Sequence, residues 1–227
     1  MVAGPAGDSA APAQDEKDGA ANEKRERREF RRTLAKRNPP FFEALLADAK
    51  ITAALRGERH EFSSRADALL QALRLMWQSD AFLAHAAYRL KARMQALGIP
   101  VLPRIAHRVA MVTAQVSIGD PVLMHPGVYI VHGGVVADGL VEIHPGAVLL
   151  PWVTLGLIGP DIVGPTIGPG ARIGTGAKVL GNVEVGADAK VGANAVVLHD
   201  VPPDTTVVGA PARPIDNSSA PEVEESP

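Results

Sequence analysis

The chain has 227 residues, a formal net charge of −2, 46% hydrophobic residues and no cysteine. This length permits one sizeable core, or one repeat domain joined to a helical module. The small net charge provides no global field for nucleic acid or membranes, and the lack of cysteine excludes disulfides, thiolate nucleophiles and Cys-ligated metals.

The beginning of the chain is polar and has no apolar periodicity. Residues 1–27 are rich in Ala, Gly, Asp, Glu and Lys, so we expect a disordered tail without a signal peptide. Residues 23–37 then carry eight basic and three acidic residues. This run is interpreted as the solvated start of a helix, and docking on an acidic partner is the alternative. No apolar run is long enough to span a bilayer, and we expect a soluble, cytoplasmic protein.

Helical signals occupy the next part of the chain, and we assign residues 28–114 to an α-helical domain. Pro39 and Pro40 suit a first helical turn, Gly57 suits a helix end, and Ser64 with Asp67 forms a capping pattern. A wide apolar stripe is interpreted as the packing core of the helices, with subunit contact as the second interpretation. The stripe contains Leu69, Leu70, Leu73, Met76, Trp77, Phe82, Leu83, Ala86 and Leu90.

From Val116 onward the hydrophobic period changes to six residues. An aliphatic residue at every sixth position, followed by a small one, predicts short strands that turn corners and stack into a triangular coil. We assign residues 115–215 to this β-helix and residues 216–227 to a disordered acidic tail. The expected inward residues are Ile118, Met124, Ile130 and Val136, then Ile143, Leu149 and Leu155 after a slip of one residue, then Ile167, Ile173, Val179, Val185, Val191 and Val197.

One rung is missing from this ladder, at Asp161, between Leu155 and Ile167. The intervening segment GLIGPDIVGP is rich in Gly and Pro, and it predicts a loop that leaves the coil. Loops that project from a rigid scaffold often carry function.

The block GTGAKVLGNVEVGADAKVGANAVVLHDVPPDTTVVGAPAR, residues 174–213, resembles the distal β-helix of serine acetyltransferases. The resemblance continues upstream through AQVSIG, YIVHGGVVADG and PWVTLG, and the helical passage SDAFLAHAAYRLKARMQALGIPVL is similar to that family's N-terminal domain. It implies an α+β chain whose helical domain precedes a left-handed parallel β-helix of hexapeptide repeats. It also implies homotrimers with active sites between neighbouring prisms, pairing of trimers through the helical domains, and acetyl transfer from acetyl-CoA to a hydroxyl.

His132, in YIVHGG, matches the catalytic histidine of the family. The transfer needs one general base, and an imidazole suits this role because its pKa lies near the working pH. The alternative is an exposed polar residue at a corner of the prism. His125 and His144 each precede proline at expected tight corners, and no pattern in the sequence indicates a metal site.

The acceptor positions depart from the family's pattern. Ser117 stands where the resemblance places the aspartate that orients the histidine, and Val131 stands where an aspartate contacts the substrate. Val163 and Gly164 stand at the Arg-His pair that holds the substrate carboxylate. Since serine carries two charges that need charged partners, an uncharged sugar or small alcohol is a second acceptor class. Asp138 or Glu142 of a neighbouring subunit is another source of charge.

The donor side keeps the family's pattern better. Small residues there let the pantetheine arm of the coenzyme approach the coil, and cations suit its phosphates. The residues that the resemblance assigns to acetyl-CoA are Gly156, Ala177, Lys178, Gly181, Asn182, Lys190 and Arg213. The leading hypothesis is an acetyl-CoA-dependent O-acetyltransferase that transfers directly to the acceptor. The rival from another class is a non-catalytic scaffold or regulator. Because the chain ends EVEESP, we expect no complex with the family's sulfhydrylase partner.

Overall fold

The computed structural model describes Thr33 and residues 37–215. The predictions for the N-terminal tail, for most of the basic run and for residues 216–227 therefore lie outside the described residues. The division of the chain at residues 27, 114 and 215 stays a prediction.

The described chain begins with four helices: α1 (Phe41–Leu55), α2 (Arg65–Gln78), α3 (Asp80–Ala96) and α4 (Leu102–Ala114). Ser64 caps α2, since its side chain accepts a hydrogen bond from the Asp67 amide at 3.1 Å. Ser79 caps α3 in the same way through the Phe82 amide at 3.3 Å. Neither these helices nor any other in the described part of the chain has the length and hydropathy needed to cross a bilayer.

The interpretation of the whole apolar stripe as core is wrong for part of α2. Leu70, Leu73 and Trp77 are 67%, 53% and 92% exposed, while Phe82 in α3 is buried. The face of α2 that packs inward is narrower than the apolar stripe, because a helix buries only the side that faces its neighbours. That buried face consists of Ala68, Gln71, Ala72 and Leu75.

Fifteen strands within the described residues follow the helices and form the parallel sheets of a left-handed β-helix, as expected. Sheet A contains β1 (Ser117–Ile118), β4 (Val136–Ala137), β7 (Thr154–Gly156), β10 (Lys178–Leu180) and β13 (Val196–Val197). Sheet B contains β2 (Leu123–Met124), β5 (Leu140–Ile143), β8 (Val163–Ile167) and β11 (Glu184–Val185). Sheet C contains β3 (Tyr129–Ile130), β6 (Val148–Leu149), β9 (Arg172–Ile173), β12 (Lys190–Val191), β14 (Thr206–Val208) and β15 (Arg213–Pro214), the last pairing antiparallel to β14.

The inward column follows the six-residue ladder with one correction. Ala137, not Val136, is the inward residue of β4, since Ala137 is 1% exposed and Val136 is 39% exposed. The next inward position is therefore seven positions after Ile130, and the slip lies one rung earlier than the sequence predicted. The extra residue belongs to the turn that contains His132.

The predicted loop between Leu155 and Ile167 is present. Residues 158–162 are exposed, and the chain re-enters the coil in β8 without an inward residue at Asp161. The loop occupies the corner between sheets A and B because β7 belongs to the first sheet and β8 to the second.

A buried ionic cluster joins the helices to the first coils. Arg89 of α3 donates to Asp48 of α1 through Nε at 2.8 Å, and it also donates to the carbonyls of Met124 and His125. The Asp48 carboxylate accepts in turn from the Gly127 amide at 2.8 Å. Both side chains are under 5% exposed, so their charges are compensated by each other and by backbone groups of the coil.

Candidate active site

His132 lies in the turn that links β3 to β4, at the corner between sheets C and A. The end of α4 supports this turn, because the Gly134 amide donates to the Ala114 carbonyl at 2.8 Å. Glycine is required at position 133, where an added Cβ would lie 1.9 Å from the Ala114 oxygen. The imidazole itself is exposed. The helical domain therefore places the predicted base at the surface of the coil.

A cavity of about 240 Å³ opens beside His132, between the helices and the coil. Arg56, at the end of α1, and Asp80, at the start of α3, bring opposite charges to its wall. Arg56 uses its Nε to bind Glu58 at 2.8 Å, and within the described residues its terminal nitrogens make no hydrogen bond. The remaining lining residues are Gln78, Ser79, Ala81, Thr113, Ala114 and Gly133.

The side chain of His132 has no hydrogen-bond partner among the residues that the structure describes. Ser117 lies in β1, one coil below, and its amide donates to the Val135 carbonyl at 2.8 Å, just after the histidine turn. No carboxylate takes the orienting position next to the imidazole within the described part of the chain. With Ser117 in place of the expected aspartate, the imidazole of His132 therefore has no carboxylate partner among the described residues.

The other predicted acceptor positions do not reach this cavity within one chain. Val163 and Gly164 begin β8, at the corner between sheets A and B, which is a different corner from that of His132. Val131 adjoins His132 but does not line the cavity. In this chain alone, the structure brings His132 together with Arg56 and Asp80, and it leaves Ser117, Val131, Val163 and Gly164 outside.

Most of the predicted donor positions form one continuous strip on sheet A. Leu180 pairs with Gly156, and the Gly181 amide donates to the Gly156 carbonyl at 2.9 Å. Ala177 is fully buried and Asn182 is exposed next to Gly181. Because Gly156, Ala177 and Gly181 are small and buried, an extended ligand along this strip would meet their backbone rather than their side chains.

Lys178 connects this strip to the histidine turn. Its Nζ donates to the Trp152 carbonyl at 3.0 Å, and the Trp152 ring lies against Gly134, where an added Cβ would be 2.5 Å from a ring atom. Lys178 is thus two coils above His132 at the same corner. The predicted donor strip and the predicted base are neighbours through Trp152.

Lys190 and Arg213 lie elsewhere, since β12 and β15 belong to sheet C. Both residues are exposed at the distal end of the coil. Arg213 approaches sheet A only through its neighbour Ala212, whose amide donates to the Val196 carbonyl at 2.7 Å.

Sequence reasoning missed the charged residues of the cavity wall. Arg56 and Asp80 belong to the helical part of the sequence, where the functional interpretation considered only the apolar residues. The available signal was their position at helix ends, next to Gly57 and the cap residue Ser79. Only the packing of α1 and α3 against the coil brings these ends to His132.

The model of the bacterial transferase hexapeptide family, with its six repeats, matches residues 164–199. A comparison with curated proteins found no significant match. Solved structures do match over most of the chain. Serine acetyltransferase from Brucella abortus strain S19 is 29% identical, with a TM-score of 0.64, and the match covers 81% of this chain and 72% of that one.

Two further structures resemble the chain at similar levels. Neisseria gonorrhoeae serine acetyltransferase, solved in complex with serine, is 27% identical with a TM-score of 0.54, covering 77% of this chain and 68% of that one. A serine acetyltransferase solved in complex with CoA is 28% identical with a TM-score of 0.56, covering 81% and 73%. The repeats, the helical domain and these matches together fit a serine acetyltransferase-like acyltransferase of the hexapeptide-repeat superfamily.

Proposed function

We propose that the chain transfers the acetyl group of acetyl-CoA directly to the hydroxyl of a small polar acceptor. The observation that carries this proposal is the corner of the coil at which His132 lines a polar cavity. At the same corner Trp152 contacts both the turn that contains His132 and Lys178 of the donor strip. A solved relative contains CoA, which supports acetyl-CoA as the co-substrate. Gly156, Ala177, Lys178, Gly181 and Asn182 form the proposed donor groove.

His132 acts as the general base in this proposal. Its imidazole removes the proton from the acceptor hydroxyl while the oxygen attacks the thioester carbonyl. The carbon–sulfur bond then breaks, the acetyl group stays on the acceptor oxygen, and the CoA thiolate takes up the proton. The products are the O-acetyl ester and free CoA thiol, and no acetyl-enzyme forms.

The cavity wall favours a zwitterionic acceptor over a neutral one. Arg56 offers terminal guanidinium nitrogens that suit a carboxylate, and Asp80 offers a carboxylate that suits an ammonium group. These two residues would replace the charged partners absent at Val131 and Val163. L-Serine is therefore the proposed acceptor, consistent with a relative solved in complex with serine.

We further propose a homotrimer in which the loop containing Val163 and Gly164 of one subunit closes the active site of its neighbour. The resemblance to serine acetyltransferases supports this assembly and its pairing into a dimer of trimers. Lys190 and Arg213 remain proposed contacts of the nucleotide end of the donor. We also propose that the protein is cytoplasmic.

The test is release of free thiol from acetyl-CoA, with L-serine compared against a panel of sugars and small alcohols. We expect serine-dependent release, and His132→Ala should lower kcat by about 100-fold or more, the usual contribution of a general base. Arg56→Gln and Asp80→Asn should mainly raise the KM for serine. His199→Ala, an exposed histidine at the end of the coil, is the matched control.

The other outcomes separate the alternatives. Release with a sugar or alcohol but not with serine would keep the transferase and replace the acceptor. Bound acetyl-CoA without release for any acceptor would favour the non-catalytic scaffold. A folded His132→Ala protein with wild-type turnover would remove His132 as the base.

A further inference from the structure

Two histidines and a glutamate meet on the outer surface of the first two coils, at the corner that follows sheet B. In the register of this sheet Leu123 pairs with Glu142 and Met124 with Ile143, so His125 and His144 occupy equivalent positions one coil apart. Met124 and Ile143 point inward. Because side chains alternate along a strand, the three polar residues all point outward.

Their ligand atoms converge. His125 Nε2 lies 2.9 Å from Glu142 Oε1, and His144 Nε2 lies 3.8 Å from the same oxygen. The two imidazoles stack with ring centroids 4.7 Å apart and an angle of 14° between their planes. One ligand atom from each residue lies within 4.8 Å of both others.

We propose that His125, Glu142 and His144 bind a divalent transition-metal ion of the Zn²⁺ class. Nitrogen and oxygen ligands about 2.0–2.2 Å from a tetrahedral ion lie about 3.3 Å from each other, close to the separations observed here. Two imidazoles and one carboxylate suit Zn²⁺, Co²⁺ or Ni²⁺ better than Mg²⁺ or Ca²⁺, which prefer oxygen ligands.

The backbone holds both histidines in place. The His125 amide donates to the Ile143 carbonyl and the His144 amide donates to the Ile167 carbonyl, each at 2.9 Å, within the ladder of the coil. The His125 carbonyl also accepts from Arg89 of the buried ionic cluster at 2.8 Å. An ion would therefore meet ligands on a rigid scaffold, which lowers the entropy lost on binding.

Glu142 is also held in a position from which it can bind an ion. Arg37 binds its Oε2 at 2.9 Å and leaves Oε1 directed towards the histidines. The two carboxylate oxygens therefore have separate partners, and Oε1 is the oxygen that an ion beside the two imidazoles would meet.

The site is separate from the acceptor cavity, since none of its three residues lines the space beside His132. Its side chains are 28–32% exposed, which leaves an entry path and open coordination positions for water. An ion here would cross-link the first two coils. The expected role is therefore stabilisation of the coil rather than chemistry on the acetyl group.

The experiment measures Zn²⁺ binding to the tag-free chain by titration calorimetry after treatment with a chelator, with Co²⁺ absorption as a spectroscopic report of coordination. We expect one ion per chain, a higher Tm with Zn²⁺, and visible Co²⁺ bands of tetrahedral intensity. Glu142→Gln and His144→Gln should each weaken binding by more than about 10-fold, because each removes a direct ligand and loss of even an outer partner of a metal site costs about 10–100-fold. His60→Gln, an exposed histidine in the helical domain, should bind like the wild type.

Either of two results would overturn the site: no binding to the chelator-treated protein, or equal affinity in the wild type and Glu142→Gln. Circular dichroism of each variant without metal reports whether it is folded. If His144→Gln fails to fold, Glu142→Gln decides the question, since it keeps the size of the side chain.

Discussion

At the scale of single residues, His85 shows how burial sets the charge of a side chain. It is 1% exposed, and its Nε2 lies 3.2 Å from Asp48 Oδ2 without the geometry of a hydrogen bond. Burial lowers the pKa of His85 from 6.5 to about 4, since the attraction of Asp48 does not compensate for the lost solvation and Arg89 opposes protonation. His85 is therefore neutral in the folded protein at neutral pH.

This shift predicts a loss of stability in mild acid. Between pH 6.5 and pH 4 the unfolded chain binds more protons than the folded chain, so the free energy of unfolding falls as pH falls through that window. His85 should account for about 2 kcal/mol of the loss between pH 7 and pH 5. The measurement is urea unfolding at both pH values for the wild type and for His85→Leu, which cannot titrate.

The exposed His60 provides the control for this prediction. His60→Leu should keep the pH dependence of the wild type, while His85→Leu should flatten it. An equal pH dependence in the wild type and His85→Leu would mean that groups other than His85 cause the loss of stability in acid.

At the scale of elements, the contact between the end of α4 and the histidine turn positions the proposed base, His132. The extra residue of the coil falls in this turn, and Gly133 allows the helix end to lie against it. Gln115 follows α4 with a positive φ of 54°, which directs the chain from the helix into β1. The helical domain is therefore part of the proposed active site.

Substitution of Gly133 by alanine should disrupt this contact. The new Cβ would overlap the Ala114 carbonyl, which is backbone and cannot rotate away. We expect a loss of about 1–3 kcal/mol in the free energy of unfolding, as for other overpacked sites. The displaced turn should also lower kcat/KM by about 10-fold or more, since small misplacements of a catalytic group are costly. Thermal unfolding and the thiol-release assay measure both effects.

Gly156→Ala is the matched comparison on sheet A. Its Cβ would lie 3.5 Å from Leu180 and 3.8 Å from Thr154, which are ordinary contacts. We expect a change in stability within about 0.5 kcal/mol and a higher KM for acetyl-CoA, because the added methyl group narrows the proposed donor groove. A Gly133→Ala protein as stable and active as Gly156→Ala would contradict the role given to the helix end.

At the scale of the whole molecule, α2 exposes an apolar face. Leu70, Leu73 and Trp77 are spaced i, i+3 and i+7 and so lie on one side of the helix. A contiguous apolar patch of this kind is unusual on a monomer and marks contact surfaces. The subunit-contact interpretation made from the sequence stays a prediction, and the proposed pairing of trimers would cover this face.

Trp77→Glu should separate the paired trimers. A carboxylate placed in the apolar contact would be buried without a partner, which opposes association. We expect light scattering to show three chains per particle for Trp77→Glu and six for the wild type. Lys50→Gln on α1 lowers the net charge of the chain by the same amount at an exposed position, and it should leave six chains per particle. A Trp77→Glu particle as large as the wild type would reject this face as the contact.

The sequence by itself determined the repeat architecture, because a six-residue period is a local property of strands that turn at fixed intervals. The inward residues, the loop at residues 158–162 and the cap at Ser64 followed from such local patterns. The position of the slip in the six-residue ladder did not follow from the sequence. The structure shows that the extra residue lies in the histidine turn, which packs against Ala114, and that Ala137 takes the inward position expected for Val136.

Only the tertiary structure decided which polar groups meet. Arg56 and Asp80 reach the cavity of His132 from the ends of two helices far apart in the sequence. His125 and His144 stack because one coil of the β-helix brings positions nineteen residues apart to neighbouring levels. Periodicity predicts the direction of a side chain from its coil, but the distance between two side chains depends on how coils and helices pack together.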